Sequence, residues 1–88
     1  MSATARITEI LQATFRPETL ELRDDSERHR GHGGWREGGE THFHLAMTAT
    51  AFDGLGRVAR QRAVNHALKP EFDRGLHALS MDLKAPGE

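Results

Sequence analysis

The chain has 88 residues, no cysteine, twelve basic and thirteen acidic residues, and a formal net charge of -1. This length fits a single domain, residues 1–88, with one modest core and no deep enclosed active site. The absence of cysteine excludes disulfides, thiol catalysis and any cluster held by this chain's own thiolates, and the balanced charge gives no overall attraction to nucleic acid.

The N-terminal segment predicts an amphipathic helix from Ala3 to Thr14. Its apolar residues recur at the i, i+3, i+4 spacing, Ser2 or Thr4 is available as the N-cap, and Pro17 cannot continue the helix. The same segment lacks the apolar stretch of about 7–15 residues that a signal peptide needs. No part of the sequence approaches the roughly 20 apolar residues of a membrane helix. We therefore expect a cytoplasmic protein without a membrane partner.

A strand and an unusual loop follow the first helix. Thr19 to Asp24 alternate between polar and apolar residues, which is the period of a half-buried strand. A loop over about 25–40 is rich in glycine and histidine, and a connection of this length is functional or disordered in most compact domains. His29 and His32 are its candidate metal ligands, because neutral imidazole is the commonest metal ligand. The alternative is a polar connection without a ligand.

The clearest strand runs from His42 to Ala49, with its odd-numbered residues facing the core. On this alternation His42 and His44 point to the opposite, solvated face. A turn over Phe52 to Gly56 then leads into the second half of the chain, since it holds two glycines and an aspartate.

The second half predicts one more helix and one more strand. The helix spans Arg57 to Leu68, and Pro70 either ends it or opens a further turn. The strand spans His77 to Leu83, and residues 84–88 are expected to fray. A helix between two strands favours a right-handed parallel crossover. The resulting fold is α+β, with a small mixed three-stranded sheet, helices on one face and the order α-β-β-α-β.

Two groups of residues are candidates for partner contacts. Trp35 and Arg36 in the loop are residue types that interfaces favour. The basic cluster is a candidate phosphate-binding surface and consists of Arg57, Arg60, Arg62 and Lys69, with Arg74 further on. On a helical wheel, however, Arg60 falls within the alanine-rich arc and Arg62 lies about 160° away, so a salt-bridged or partner-facing helix is the alternative. No nucleophile is paired with a base at a recognisable spacing, so we expect a non-enzyme.

Five segments, taken in their order and spacing, resemble the BolA family over almost the whole chain: "RPETLELRDDS", "HRGHGG", "ETHFHL", "FDGLGRVARQRAVNHAL" and "GLHALSMDLKAPGE". The resemblance implies an α+β fold similar to class II KH domains. It also implies association with monothiol glutaredoxins in iron–sulfur and iron handling, or, as the alternative function, DNA binding as a transcriptional regulator. The sequence departs from the family at Gln61, where members commonly have histidine.

The resemblance also implies a metal site formed by a loop histidine and the histidine of the terminal "HAL", which are His29 and His77 by motif position, with His32 as the rival loop ligand. Paired histidines on one iron of a 2Fe–2S cluster are known from Rieske centres. The remaining ligands must come from elsewhere, and a glutaredoxin cysteine with glutathione would supply them. We therefore expect no cofactor in the isolated chain, which would be a monomer or weak homodimer when alone.

Overall fold

The computed structural model describes residues 2–26, 39 and 41–88 and builds them around a sheet of three strands. Its helices and strands are α1 (Ala3–Phe15), β1 (Thr19–Asp24), β2 (His42–Thr48), α2 (Arg57–Ala67), α3 (Lys69–Arg74) and β3 (Ala78–Lys84). A 3-10 turn, Thr50–Phe52, lies between β2 and α2. The predicted α-β-β-α-β order is confirmed, with α3 added where Pro70 left the sequence interpretation open.

The central strand of the sheet is β2. It pairs antiparallel with β1 and parallel with β3, so that Leu45 lies between Leu22 and Met81. Parallel neighbours cannot be joined by a tight hairpin, and here α2 and α3 make the longer connection. The parallel pairing predicted between the second and third strands is therefore confirmed.

Alternation along β2 directs one face of the sheet onto the helices. Phe43, Leu45 and Met47 are buried, as predicted, because every second residue of a strand points to the same face. They share a core with residues of both long helices and with the residue that joins α2 to α3, namely Ile7, Leu11, Phe15, Val64 and Leu68. The opposite face of the sheet carries the exposed Glu21 and Asp82 on either side of Ala46.

The first helix is defined by its cap, its apolar row and its exit. The Ser2 hydroxyl accepts a hydrogen bond from the Ala5 amide at 3.1 Å, which satisfies one of the free amides of the first turn. The chain leaves the helix through Arg16, which adopts the left-handed conformation with φ of 47°. The helix extends to Phe15, one residue beyond the predicted end, and Phe15 packs against Phe52 with ring centroids 5.3 Å apart.

The short helix α3 is joined to α1 by a buried ion pair. Pro70 lies in the first turn of α3, where proline is tolerated because no intrahelical partner is needed for its missing amide. Glu71 is only 3% exposed, and both of its carboxylate oxygens accept hydrogen bonds from the Arg6 Nε, at 3.1 and 3.0 Å. The chain thus fixes a helix of six residues by a charge contact in addition to apolar packing.

Residues 84–88, expected to fray, are held against the core instead. Lys84 is the last residue of β3, and Ala85 is buried. The Glu88 carboxylate accepts hydrogen bonds from the Arg60 guanidinium at 2.5 and 2.7 Å and from the Ala85 amide at 3.0 Å. The prediction of a frayed tail is wrong because a long-range ion pair, which leaves no periodic trace in a sequence, fixes the last residue.

This contact makes stability depend on pH through Glu88. The hydrogen bonds from Arg60, followed by the one from the Ala85 amide, lower the pKa of Glu88 from 4.5 to about 2. A carboxyl whose folded-state pKa is depressed stabilises the fold above its unfolded pKa, and this contribution is lost as pH falls through the folded value.

We predict that Glu88→Gln lowers the melting temperature at neutral pH, and that the difference from the wild type shrinks as pH falls from about 4.5 towards 2. Thermal denaturation followed by far-ultraviolet circular dichroism across this pH range is the measurement. Glu21→Gln, on the exposed side of β1, is the matched control and should show a much smaller difference. A difference for Glu88→Gln that is constant with pH would contradict the ion-pair origin of the effect.

Candidate functional site

His77, a predicted metal ligand, lies immediately before β3 with an exposed side chain. The predicted strand start at His77 is therefore one residue early. Its backbone amide donates a hydrogen bond to the Thr41 carbonyl oxygen at 2.8 Å, and the Ala78 amide donates to the same oxygen at 3.1 Å. The exposed imidazole is thus carried on a backbone that is fixed by two hydrogen bonds.

Four polar residues form what we call the loop neck: the exposed Asp24 and the buried Ser26, Thr41 and His42. The Ser26 hydroxyl oxygen is its centre, lying 2.6 Å from Asp24 Oδ1, 3.0 Å from the Thr41 amide and 3.2 Å from the His42 amide. Ser26 is 1% exposed and Thr41 is fully buried. The loop neck therefore joins the two ends of the glycine- and histidine-rich segment at the point where β2 begins.

Gly39 packs directly onto the loop neck. It has φ of +74°, a conformation that favours glycine, and a side-chain carbon there would lie 3.3 Å from Asp24 Oδ2 and 3.5 Å from Ser26 Cβ. The close approach and the backbone angle together explain glycine at this position.

His42 is buried, which corrects the prediction that it faces solvent. Its ring is 4% exposed, and its centroid lies 5.2 Å from that of His77 with the ring planes tilted by 49°. The Nδ1 atom of His42 is 2.9 Å from the Thr41 hydroxyl. Strand alternation placed His42 on the outer face, but alternation carries no information on the loop neck and His77, which cover that face at the strand end. His44, two residues on, is partly buried and lies 2.7 Å from the Ser80 hydroxyl.

Four predicted contact residues lie outside the described residues. His29 and His32, the candidate loop ligands, and Trp35 and Arg36, the candidate partner contacts, belong to the stretch 27–38. Within the ranges 2–26, 39 and 41–88, the structure brings no three histidine, aspartate or glutamate side chains into a group that could hold a metal ion. His77 is thus the predicted ligand whose surroundings are known.

The metal-binding side chains of this protein fit a cluster shared with a second molecule. The sequence supplies imidazoles but no thiolate, and the predicted ligand His77 is exposed. An iron–sulfur cluster held with such donors must take its thiolates from another molecule.

The basic cluster does not form one surface. Arg60 is 9% exposed, and its guanidinium donates to the carbonyl oxygens of Leu55 and Leu83 as well as to Glu88. Its place in the alanine-rich arc of the helical wheel corresponds to this burial. The Arg60 guanidinium therefore donates to groups inside the protein and does not present a phosphate-binding surface.

The other members of the cluster are exposed. Arg57 and Arg62 lie on the outside of α2, and Lys69 pairs with Asp73 at 2.9 Å on the surface of α3. Exposed pairs of this kind contribute little to stability. In the part of the chain that the structure describes, no helix has the length and hydropathy needed to cross a bilayer.

Comparisons with known proteins give a consistent result. A family model described as BolA-like protein matches residues 11–88. An uncharacterised protein from the cobS 5′ region of a Sinorhizobium species is 47% identical, with 100% of this chain and 96% of the relative covered. The chloroplastic BOLA1 protein of Arabidopsis thaliana is 42% identical, and the match spans 96% of this chain but 54% of that protein.

Solved structures agree with the sequence matches. BolA1 from Arabidopsis thaliana superposes with a TM-score of 0.87 at 35% identity, covering 100% of this chain and 96% of the other. The BolA domain of SufE1 from the same plant has a TM-score of 0.88 at 41% identity, covering 98% and 94%. Within the full SufE-like protein 1, the match spans only 24% of the length, so this fold also occurs as one part of a longer chain.

The hydrogen bonds of the loop neck indicate what removal of the Ser26 hydroxyl would do to stability. Ser26→Ala leaves the buried amides of Thr41 and His42 without this acceptor, at a cost of about 1–3 kcal/mol in the free energy of unfolding. Urea denaturation is the measurement. Ser80→Ala removes an exposed hydroxyl and should change the free energy by no more than about 0.5 kcal/mol. Equal effects of the two substitutions would contradict the central role of Ser26.

Proposed function

The chain belongs to the BolA-like family, and from that premise we propose that it is a binding module that pairs with a monothiol glutaredoxin to bind or transfer a 2Fe–2S cluster in iron–sulfur and iron homeostasis. The observation that carries the proposal is the position of His77. An exposed imidazole on a fixed backbone lies beside the loop neck, whose residues flank the histidine-rich segment in the sequence.

The number of ligands on a 2Fe–2S cluster determines how many this chain would supply. A 2Fe–2S cluster takes four ligands, and histidine can replace cysteine on one of its two irons. His77 and His29 would be the two ligands from this chain, with His32 as the alternative to His29. A glutaredoxin cysteine and glutathione would supply the thiolates that a cysteine-free chain lacks. When bound, the cluster supplies one-electron redox chemistry and an exchangeable iron–sulfur unit.

Both candidate loop ligands follow Ser26 closely in the sequence. His29 is three residues from Ser26, at most about 10 Å of extended chain, and His32 is six residues away, at most about 20 Å. Ser26 itself is joined to Thr41, which in turn binds the amide of His77. Motif position favours His29.

We predict that His77→Ala abolishes the Rieske-like visible spectrum of the complex reconstituted with a monothiol glutaredoxin, iron, sulfide and glutathione. The fold should survive, because the replaced side chain is exposed. Visible absorbance and far-ultraviolet circular dichroism measure the two effects. His66→Ala is the matched control, since His66 is an exposed histidine on α2.

An unchanged spectrum for His77→Ala removes this residue from the site. If the wild-type chain forms no cluster complex but retards DNA in a gel shift at physiological salt, the DNA-binding alternative holds and the proposed function fails.

The loop ligand is tested by two further substitutions. We predict that His29→Ala weakens or reshapes the cluster spectrum more than His32→Ala does. The pair is internally matched, because both change one imidazole of the same segment to the same residue. The reverse ranking assigns the ligand to His32, and no effect of either substitution removes the segment's histidines from the site.

A further inference from the structure

We propose that His42 is a positioning residue for His77: the loop neck holds the His42 ring in one tautomer, with the proton on Nε2, and that ring sets the orientation of the His77 imidazole. The consequence for cluster binding rests on the function proposed above. The tautomer and the ring contact are properties of the isolated chain and can be tested independently of that function.

The proton positions follow from the donors and acceptors around Ser26. A carboxylate only accepts hydrogen bonds, so the Ser26 hydroxyl must donate its proton to Asp24 Oδ1, 2.6 Å away. A hydroxyl oxygen has two acceptor positions, and the amides of Thr41 and His42 occupy both of them, at 3.0 and 3.2 Å. The donor and acceptor capacity of Ser26 is then fully used.

Among the described residues, one acceptor then remains for the proton of the Thr41 hydroxyl. Its distance to the Ser26 oxygen is 3.4 Å, but the acceptor positions there are already filled. The Nδ1 atom of His42 lies nearer, at 2.9 Å, so the hydroxyl donates to it. A neutral imidazole that accepts at Nδ1 carries its proton on Nε2. The hydrogen bonds of Ser26 and Thr41 therefore determine the tautomer of His42.

The selected tautomer distinguishes the roles of the two histidines. A ring that accepts at Nδ1 and is protonated at Nε2 has no lone pair left for a metal, whereas a metal ligand must offer a deprotonated nitrogen. His42 is 4% exposed, while His77 is exposed. His42 thus supports the ligand and is not itself one.

The two rings are coupled through both side chain and backbone. Their centroids are 5.2 Å apart, in the range of aromatic contacts, so one side of the His77 ring is restrained. Thr41 binds the His42 ring through its hydroxyl and the His77 amide through its carbonyl oxygen. A single buried residue therefore fixes both the support and the backbone of the supported side chain.

The isolated chain provides the first test, by two-bond ¹H–¹⁵N correlation spectra of the histidine rings at about pH 8, above the reference histidine pKa of about 6.5. We expect His42 to show a protonated Nε2 and an unprotonated Nδ1. Thr41→Val removes the hydroxyl but keeps the carbonyl oxygen, and should raise the population of the other tautomer. Thr41→Ser restores the hydroxyl and the original spectrum.

A His42 protonated on Nδ1 in the wild type, or a tautomer that Thr41→Val leaves unchanged, overturns the inference whether or not a cluster ever forms. The ring contact is measured in the same samples by nuclear Overhauser effects between His42 and His77. His42→Phe should keep His77 restrained, and His42→Ala should release it. Equal mobility of the His77 ring in both variants also overturns the inference, and Thr41→Val decides the case if His42→Ala does not fold.

The complex with glutaredoxin provides the second test. We expect His42→Ala to retain a cluster with an altered electron paramagnetic resonance spectrum after reduction and about 10- to 100-fold weaker retention against a chelator, the usual range for losing a group that orients a metal-bound histidine. His42→Phe should restore most of both. Complete loss of the cluster in His42→Ala and His42→Phe alike would make His42 a ligand and contradict the positioning role.

If the wild-type complex forms no histidine-ligated cluster, the proposed function fails. The spectra of the isolated chain then still decide the structural part of the inference.

Discussion

The Thr41 carbonyl oxygen, which accepts hydrogen bonds from the amides of His77 and Ala78, is the contact on which the arrangement of the sheet depends. It fixes the first register pair between the parallel strands, His42 with Ala78. A shift of one residue would turn every side chain of β3 to the other face of the sheet. The bonds that hold His77 in place and the bonds that set the core-facing side of β3 are therefore the same bonds.

Ion pairs also hold parts of this small fold together. A chain of 88 residues buries a limited apolar area, and two of its arginines act as cross-links. Arg6 joins α1 to Glu71, and Arg60 joins α2 to the tail through Glu88. The Glu71 carboxylate is 3% exposed and also lies 3.8 Å from Arg74 Nε, so two arginines compensate its charge. These contacts specify where the short elements lie.

Local periodicity predicted the regular elements well. The i, i+4 row of Ile7, Leu11 and the alternation of β2 are decided by neighbours along the chain, so sequence spacing is enough to find them. The fold order and the parallel pairing follow from these elements and from general rules of strand connection. The helical wheel placed Arg60 in the alanine-rich arc but did not predict its burial or its pairing with Glu88.

The errors share one physical origin, which is contact between residues distant in sequence. Glu88 lies 28 positions from Arg60, and His42 lies 35 positions from His77, so neither pairing leaves a local pattern. Alternation along a strand predicts one buried and one exposed face. It fails for His42 at the start of β2, where the side chain contacts Thr41 and His77 and is buried. His29, His32, Trp35 and Arg36 stay predictions, because they lie outside the described residues.

The donor chemistry of the chain determines what kind of partner it would be in a shared cluster. Thiolates bring negative charge to iron, whereas imidazole binds as a neutral ligand and raises the reduction potential in Rieske centres. Imidazole also competes with protons near neutral pH, which makes its metal bond more easily exchanged than that of a buried thiolate. With no cysteine of its own, this chain would hold the exchangeable side of the cluster and leave the thiolate side to glutaredoxin. A rigidly positioned His77 fits that role, because a neutral ligand with modest affinity gains most from an orientation that is fixed before binding.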